Sequence, residues 1–110
     1  TAKLVIDCTG KIICPGFIDL HNHSDNQVVA AATRANINYL LQGCTTIVTG
    51  NCGAGPVNVN KYYTAINEAG SGTNVIHLLA QGNLRREIMG DERRKATSEE
   101  QTAMLKLADK

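Results

Sequence analysis

The sequence predicts an α/β protein built on a parallel sheet, and three observations carry that prediction. Short runs of β-branched and aliphatic residues recur at 17–20, 44–49 and 74–80, and helical patterning follows each of them. The first run is apolar on both faces, as strands are when helices cover a sheet from both sides. Each run also ends in polar or glycine-rich residues, and both α/β barrels and doubly wound sheets place their sites at the C-terminal ends of strands. Strand and helix alternating at this spacing imply βαβ units with right-handed crossovers. Pattern alone leaves barrel and doubly wound sheet both open.

Taken in order, Lys3-Leu4-Val5-Ile6-Asp7 reads as a short strand, with a turn at Cys8-Thr9-Gly10-Lys11. Ile12-Ile13-Cys14 resumes the chain and Pro15-Gly16 breaks it. The strand at 17–20 is expected to be buried and parallel, running into His21 and His23. Residues 26–42 read as a helix: Ile37, Leu40, Leu41 and Cys44 fall at i, i+3, i+4 and i+7, and Gly43 stands where a glycine ends a helix. The β-branched run 44–49 is a strand. It leads into Gly50-Asn51-Cys52-Gly53-Ala54-Gly55-Pro56, a loop whose glycines require sharp turns or close approach to another group. A short helix over 61–69 closes at Gly70, and Ser71-Gly72-Thr73 links to the third strand, 74–80. Gln81-Gly82-Asn83 is expected to turn, and 85–95 to be a charged, weakly structured connection with Arg85, Arg86 and Glu87 in a solvated turn. A last helix opens at Ser98, an N-cap paired with Gln101 at N3, and runs on through Met104, Leu105, Leu107 and Ala108.

Composition narrows the function classes. At 110 residues the chain is one domain's worth, able to bury about 60–70% of its unfolded surface if it closes on itself. A net charge of +1 gives no electrostatic reason to bind nucleic acid or an anionic membrane, so a small neutral substrate or a partner chain fits better. No apolar run approaches the roughly 18 residues of a membrane-spanning helix, so the protein is expected to be soluble. Thr1-Ala2-Lys3 opens without an initiator Met, which leaves room for a natural start, and any signal peptide, upstream. Cys8, Cys14, Cys44 and Cys52 form no CxxC pair and no dense spacing. Free thiols and a reducing, cytoplasmic setting are therefore expected, with a Cys8–Cys14 disulfide as the lesser alternative.

The chemistry concentrates in Pro15-Gly16-Phe17-Ile18-Asp19-Leu20-His21-Asn22-His23-Ser24-Asp25. Side chains alternate faces along a strand, so His21 and His23 share one side and make half a metal site. A lone His-x-His is more often two surface histidines; the apolar strand before it and a cysteine after the next strand favour ligation. Cys52 alone reads more simply as an inert thiol, but the surrounding glycines argue for a special backbone position. Cys8, Cys14 and Cys44 are expected to be packing residues, and His77 a satisfied core or interface histidine.

The first of these stretches, from Pro15 to His23, resembles the first-strand motif of the amidohydrolase superfamily, metal-dependent hydrolases on a TIM-type barrel. Within it, Gly43-Cys44-Thr45-Thr46-Ile47-Val48-Thr49-Gly50-Asn51-Cys52-Gly53 is similar to the second-strand segment of the N-acyl-D-amino-acid deacylases, or D-aminoacylases, and Leu84-Arg85-Arg86-Glu87-Ile88-Met89-Gly90 resembles the segment after their third strand. The resemblance runs from about Val5 to the end. It implies that residues 1–13 are the end of a small β-sandwich domain and 14–110 the first three βα units of the barrel. It also implies that His21 and His23 are the pair that binds one metal, and that Cys52 is the zinc-ligating cysteine where many relatives use a carboxylated lysine. Imidazole and thiolate suit zinc, which keeps a bound thiolate deprotonated. Asp19 and Asp25 flank the histidines and are candidates to orient a ligand imidazole. Gln81 stands where the family commonly has a histidine and stays outside the site.

By the same resemblance, further histidines and a general-base aspartate lie on later strands that these residues do not include. The implied reaction is zinc-assisted hydrolysis of an N-acyl-D-amino acid to a D-amino acid and a carboxylate, in the complete enzyme. Two alternatives stand beside it. One is a noncatalytic module that self-associates through the open sheet edges three strands would leave. The other is a cyclic-amide amidohydrolase of dihydroorotase type, disfavoured because Cys52 occupies the lysine position.

Overall fold

A computed structural model describes residues 3–109. Its centre is a three-stranded parallel sheet in the order β1-β2-β3, formed by Phe17–Asp19, Cys44–Thr49 and Asn74–His77. Strand β2 pairs with β3 in continuous register from Thr46↔Asn74 to Thr49↔His77, whereas the β1–β2 register slips between Phe17 and Ile18. Four helices accompany the sheet: α1 (Ile37–Leu40), α2 (Val59–Ala69), α3 (Gln81–Met89) and α4 (Ser98–Ala108). The parallel pairing agrees with the βαβ reading. Among the described residues no helix is long and apolar enough to cross a membrane.

The core lies between the middle strand and α2. Ile47 is fully buried against Val28, Tyr62 and Ile66, with Val29, Tyr39, Tyr63 and Val75 packed around them. Each such aliphatic side chain removed from water contributes about 1.5–3 kcal/mol. Helix α2 aims its apolar stripe at the sheet, begins where the Asn58 side chain accepts from the Lys61 amide, and ends at Gly70, whose φ of 76° suits only glycine.

Several expectations are corrected. Residues 3–7 form no strand, and Leu4, Val5, Ile6, Ile12 and Ile13 are exposed, because they find no pairing partner among the described residues. Strand β1 is parallel but not buried: it lies at the sheet's edge with Phe17 and Ile18 more than half exposed. The helix expected over 26–42 shrinks to α1, with irregular turns before it. Asn36 interrupts it in the left-handed conformation, φ 50°, where its amide donates to Thr73 Oγ1 at 2.8 Å and to Ser71 Oγ at 3.3 Å; that long-range anchor outweighs helical propensity. The buried side of this segment is Val28, Asn36 and half-buried Tyr39, while Ile37, Leu40 and Leu41 face outward.

Gln81-Gly82-Asn83 is no turn but the start of α3, which runs through Arg85 and Arg86 to Met89. Gly82 must lie flat on the Cys52 loop, where a Cβ would come within 2.7 Å of the Gly53 carbonyl oxygen. Arg85 is tied down rather than solvated, donating to Met89 Sδ and to the carbonyls of Glu92 and Arg94. The α4 capping box sits one residue earlier than expected: Thr97 Oγ1 accepts from the Glu100 amide at 3.2 Å and Glu100 Oε2 accepts from the Thr97 amide at 2.8 Å. Glu100 wins over Gln101 because its carboxylate also takes two hydrogen bonds from Arg94, at 2.6 and 2.8 Å. All four cysteines are free thiols, and Cys14, expected to pack, is exposed.

Candidate metal centre

Beyond the end of β1 the chain keeps its alternation. His21 and His23 are exposed on one side while Asn22 and Ser24 are buried on the other. Short side-chain-to-backbone bonds hold this conformation: Asp19 Oδ1 accepts from the His21 amide at 3.1 Å, and Asn22 Oδ1 from the Ser24 amide at 3.1 Å. Ser24 Oγ meets Tyr39 OH at 2.7 Å and fastens the segment to the core. The two imidazoles stand edge to face, 5.5 Å between centroids.

The loop after β2 brings in the thiol. Residues Asn51–Gly53 form a single tight turn in which Cys52 adopts φ 55°, a left-handed conformation that costs a non-glycine residue about 1–2 kcal/mol. Such an outlier persists only when its surroundings impose it. Asn51 supplies part of that constraint, its amide donating to Val48 O at 2.7 Å and to Asn22 O at 3.3 Å, which ties the cysteine loop to the histidine segment. The result places Cys52 Sγ 3.4 Å from His21 Nε2, with the donor atoms of His21, His23 and Cys52 all within 4.8 Å of one another.

The His21–Cys52 pair of that set stands at the spacing of two ligands on one zinc ion. Donors bound at roughly 2.0 Å (imidazole nitrogen) and 2.3 Å (thiolate sulfur) around a tetrahedral centre lie about 3.3–3.7 Å apart, which matches the nitrogen-to-sulfur distance here. Three protein donors leave coordination positions for a further ligand, water or substrate. An open cleft of about 490 Å³ adjoins His23, lined also by Asn26, Pro56 and Asn83, so the cluster is reachable by a small molecule.

Both flanking aspartates act on backbone. Asp19 holds the His21 amide, and the buried Asp25 carboxylate accepts from the Gly50 amide at 2.8 Å, bracing the cysteine loop; the imidazole it lies beside is that of His77, with Oδ1 3.8 Å from Nδ1, and not a candidate ligand. His77 is a satisfied histidine, as expected, with both ring nitrogens partnered. Its partners, Thr49 and Pro56, flank Cys52. Those connections span 28 and 21 residues of chain and leave no local signal in the sequence.

Residues 4–110 match the family model described as Amidohydrolase family. The chain belongs to the amidohydrolase family. Among curated relatives it is similar to an N-acyl-D-aspartate deacylase of Alcaligenes xylosoxydans xylosoxydans, at 34% identity over 96% of this chain and 25% of the relative. Among solved structures it is similar to a D-aminoacylase described by the functional role of its binuclear metal centre, at TM-score 0.78 and 33% identity over 86% of this chain and 24% of that one. It is also similar to the N-acyl-D-glutamate deacylase of Bordetella bronchiseptica in complex with zinc and a phosphonate mimic of the tetrahedral intermediate, at TM-score 0.81 and 32% identity over 92% of this chain and 26% of that one. The chain thus spans about a quarter of the length of the relatives it matches.

Proposed function

We propose that this chain supplies part of the metal site of a zinc-dependent amidohydrolase that cleaves N-acyl-D-amino acids to a D-amino acid and a carboxylate. The observation that carries the reading is the convergence of His21, His23 and Cys52, from the ends of two adjacent parallel strands, within 4.8 Å of one another and with the His21–Cys52 pair at zinc-ligand spacing. The substrate class is supported by the relatives, which include deacylases of N-acyl-D-aspartate and N-acyl-D-glutamate. When bound, zinc supplies Lewis acidity that polarises an amide carbonyl and acidifies water.

The chain's own residues hold and orient. His21 and His23 present two imidazoles from one side of the segment after β1, and Cys52 closes the set from a backbone position fixed by Gly50, Asn51 and Gly53. The general base comes from outside this set, on the later strands that the family resemblance implies, while Asp19 and Asp25 each brace a backbone amide. Residues 14–110 are then the first βα units of a TIM-type barrel, and 1–13 the end of a small β-sandwich domain. The open edges at β1 and β3 would serve further barrel strands or a second copy alike, and the barrel is favoured because the relatives this chain matches are about four times its length. Four free thiols suit a reducing cytoplasm.

The test is metal content and turnover of the complete enzyme. Cys52→Ala is expected to lose stoichiometric zinc by elemental analysis and, with it, release of amine from N-acyl-D-amino acids. Undiminished zinc in that variant would remove Cys52 from the ligand set, and a zinc-loaded wild-type enzyme inert toward every N-acyl-D-amino acid would remove the substrate assignment.

A further inference from the structure

The Cys52 loop is held at both ends by one buried ring. The His77 side chain has no solvent exposure; its Nε2 lies 2.9 Å from the Pro56 carbonyl oxygen and its Nδ1 lies 2.8 Å from Thr49 Oγ1. A carbonyl oxygen only accepts, so Nε2 carries a proton, and in the neutral ring Nδ1 accepts from the Thr49 hydroxyl. Thr49 is the last residue of β2 and Pro56 the last of the glycine loop, so a single imidazole spans the segment that carries Cys52. Asp25 adds a third tie, through the Gly50 amide at 2.8 Å.

The fit against this ring is close. A Cβ at Gly55 would lie 3.0 Å from His77 Cε1 and 2.6 Å from Asp25 Oδ1, and one at Gly50 would lie 3.0 Å from the same ring carbon. The ring itself is fixed from α2: Tyr63 OH accepts from the His77 amide at 2.9 Å, and the Tyr62 ring lies 4.7 Å away. Cys52 needs such support, because its left-handed backbone would relax if the loop were free to widen.

We propose that His77 is a positioning residue for the Cys52 thiolate, clasping Thr49 and Pro56 so that Sγ is held at ligand distance from His21 in advance of metal binding. The inference rests on the reading of Cys52 as a metal ligand. It assigns the strand β3 histidine a role in a site that it does not touch. A ligand held in advance loses less conformational freedom when the metal binds, and changes in residues that orient metal ligands typically weaken affinity about 10–100-fold.

The experiment loads the full-length protein with cobalt(II) and follows the thiolate-to-cobalt charge-transfer band together with the dissociation constant. Cys52→Ser comes first: loss of the band upholds the ligand reading, and an unchanged band overturns it and the clasp with it. With Cys52 established, His77→Phe keeps an aromatic ring but neither hydrogen bond, and is expected to weaken cobalt binding by roughly 10–100-fold and to alter the band. Thr49→Val, which removes one of the two bonds with little change of shape, is expected to move both readouts the same way, and Thr49→Ser to restore them. A folded His77→Phe protein with the parent's affinity and band overturns the proposal. If His77→Phe does not fold, the Thr49 pair decides: equal affinity and band in the Val and Ser variants overturns it.

Discussion

Replacing Gly50 with alanine tests how tightly the cysteine loop is built against strand β3. Gly50 has φ 79° and ψ 16°, a left-handed conformation that charges alanine about 1–2 kcal/mol before any contact is considered. A Cβ there would stand 2.0 Å from the Leu78 carbonyl oxygen, a separation real Cβ atoms do not reach, so the backbone of one of them must retreat by at least about 1 Å. Retreat of the loop pulls the Gly50 amide from Asp25 Oδ1, now at 2.8 Å, and strains the bond from the Leu78 amide to Thr49 O at 3.0 Å. Asp25 is buried, and a hydrogen bond to a charged group is worth about 1.5–3 kcal/mol, so the total loss is about 2.5–5 kcal/mol.

Gly70→Ala is the matched control. Its φ is 76°, but nothing lies within 4 Å of the added carbon, so it should lose only the backbone strain of about 1–3 kcal/mol. Denaturant unfolding with zinc titration on both variants separates the effects. Gly50→Ala is expected to lose more stability than Gly70→Ala and at least about 10-fold in zinc affinity, as changes behind metal ligands do. Equal losses of stability, with zinc affinity intact in both, would refute the account of a loop pressed onto Leu78 and braced by Asp25.

Two further predictions concern titration. Arg94, through its hydrogen bonds, and the Thr97 amide hold the Glu100 carboxyl down at about 2 from an ordinary value of 4.5. A depressed carboxylate stabilises the fold above its unfolded value and loses that contribution as pH falls from 4.5 through about 2, so the start of α4 should loosen in acid; a Glu100 carboxyl that titrates near 4.5 by NMR would contradict the capping box. Burial pushes the Tyr62 phenol up from 10 to about 12, and its hydroxyl donates to Asp25 O at 2.9 Å. Its contribution is complete below pH 10 and is lost as pH rises through about 12; phenolate absorbance that rises fully near 10 in the folded protein would show Tyr62 to be solvated.

The sequence by itself determined the parallel α/β plan, strand β2 to the residue, the close of α2 at Gly70 and the three donors that the tertiary structure brings together. These are local properties. β-branched runs, a helix-ending glycine and a two-residue histidine spacing each express a preference carried by a few neighbouring residues. The motif resemblance reached further, to the family itself, because the order of its segments is also local information repeated along the chain.

Only the tertiary structure decided the rest. Asn36 breaks a helix because Thr73 and Ser71 wait 35 residues or more away, and position 82 has no room for a side chain because it lies on Gly53. Glu100 rather than Gln101 closes the α4 cap because Arg94 is there to share its carboxylate. Asp25 turned to the Gly50 amide and the His77 ring instead of a candidate ligand imidazole, and His77 reached across to Thr49 and Pro56, for the same reason. Most buried polar groups find a partner, and which partner each finds depends on where the fold has placed it, not on its neighbours in sequence.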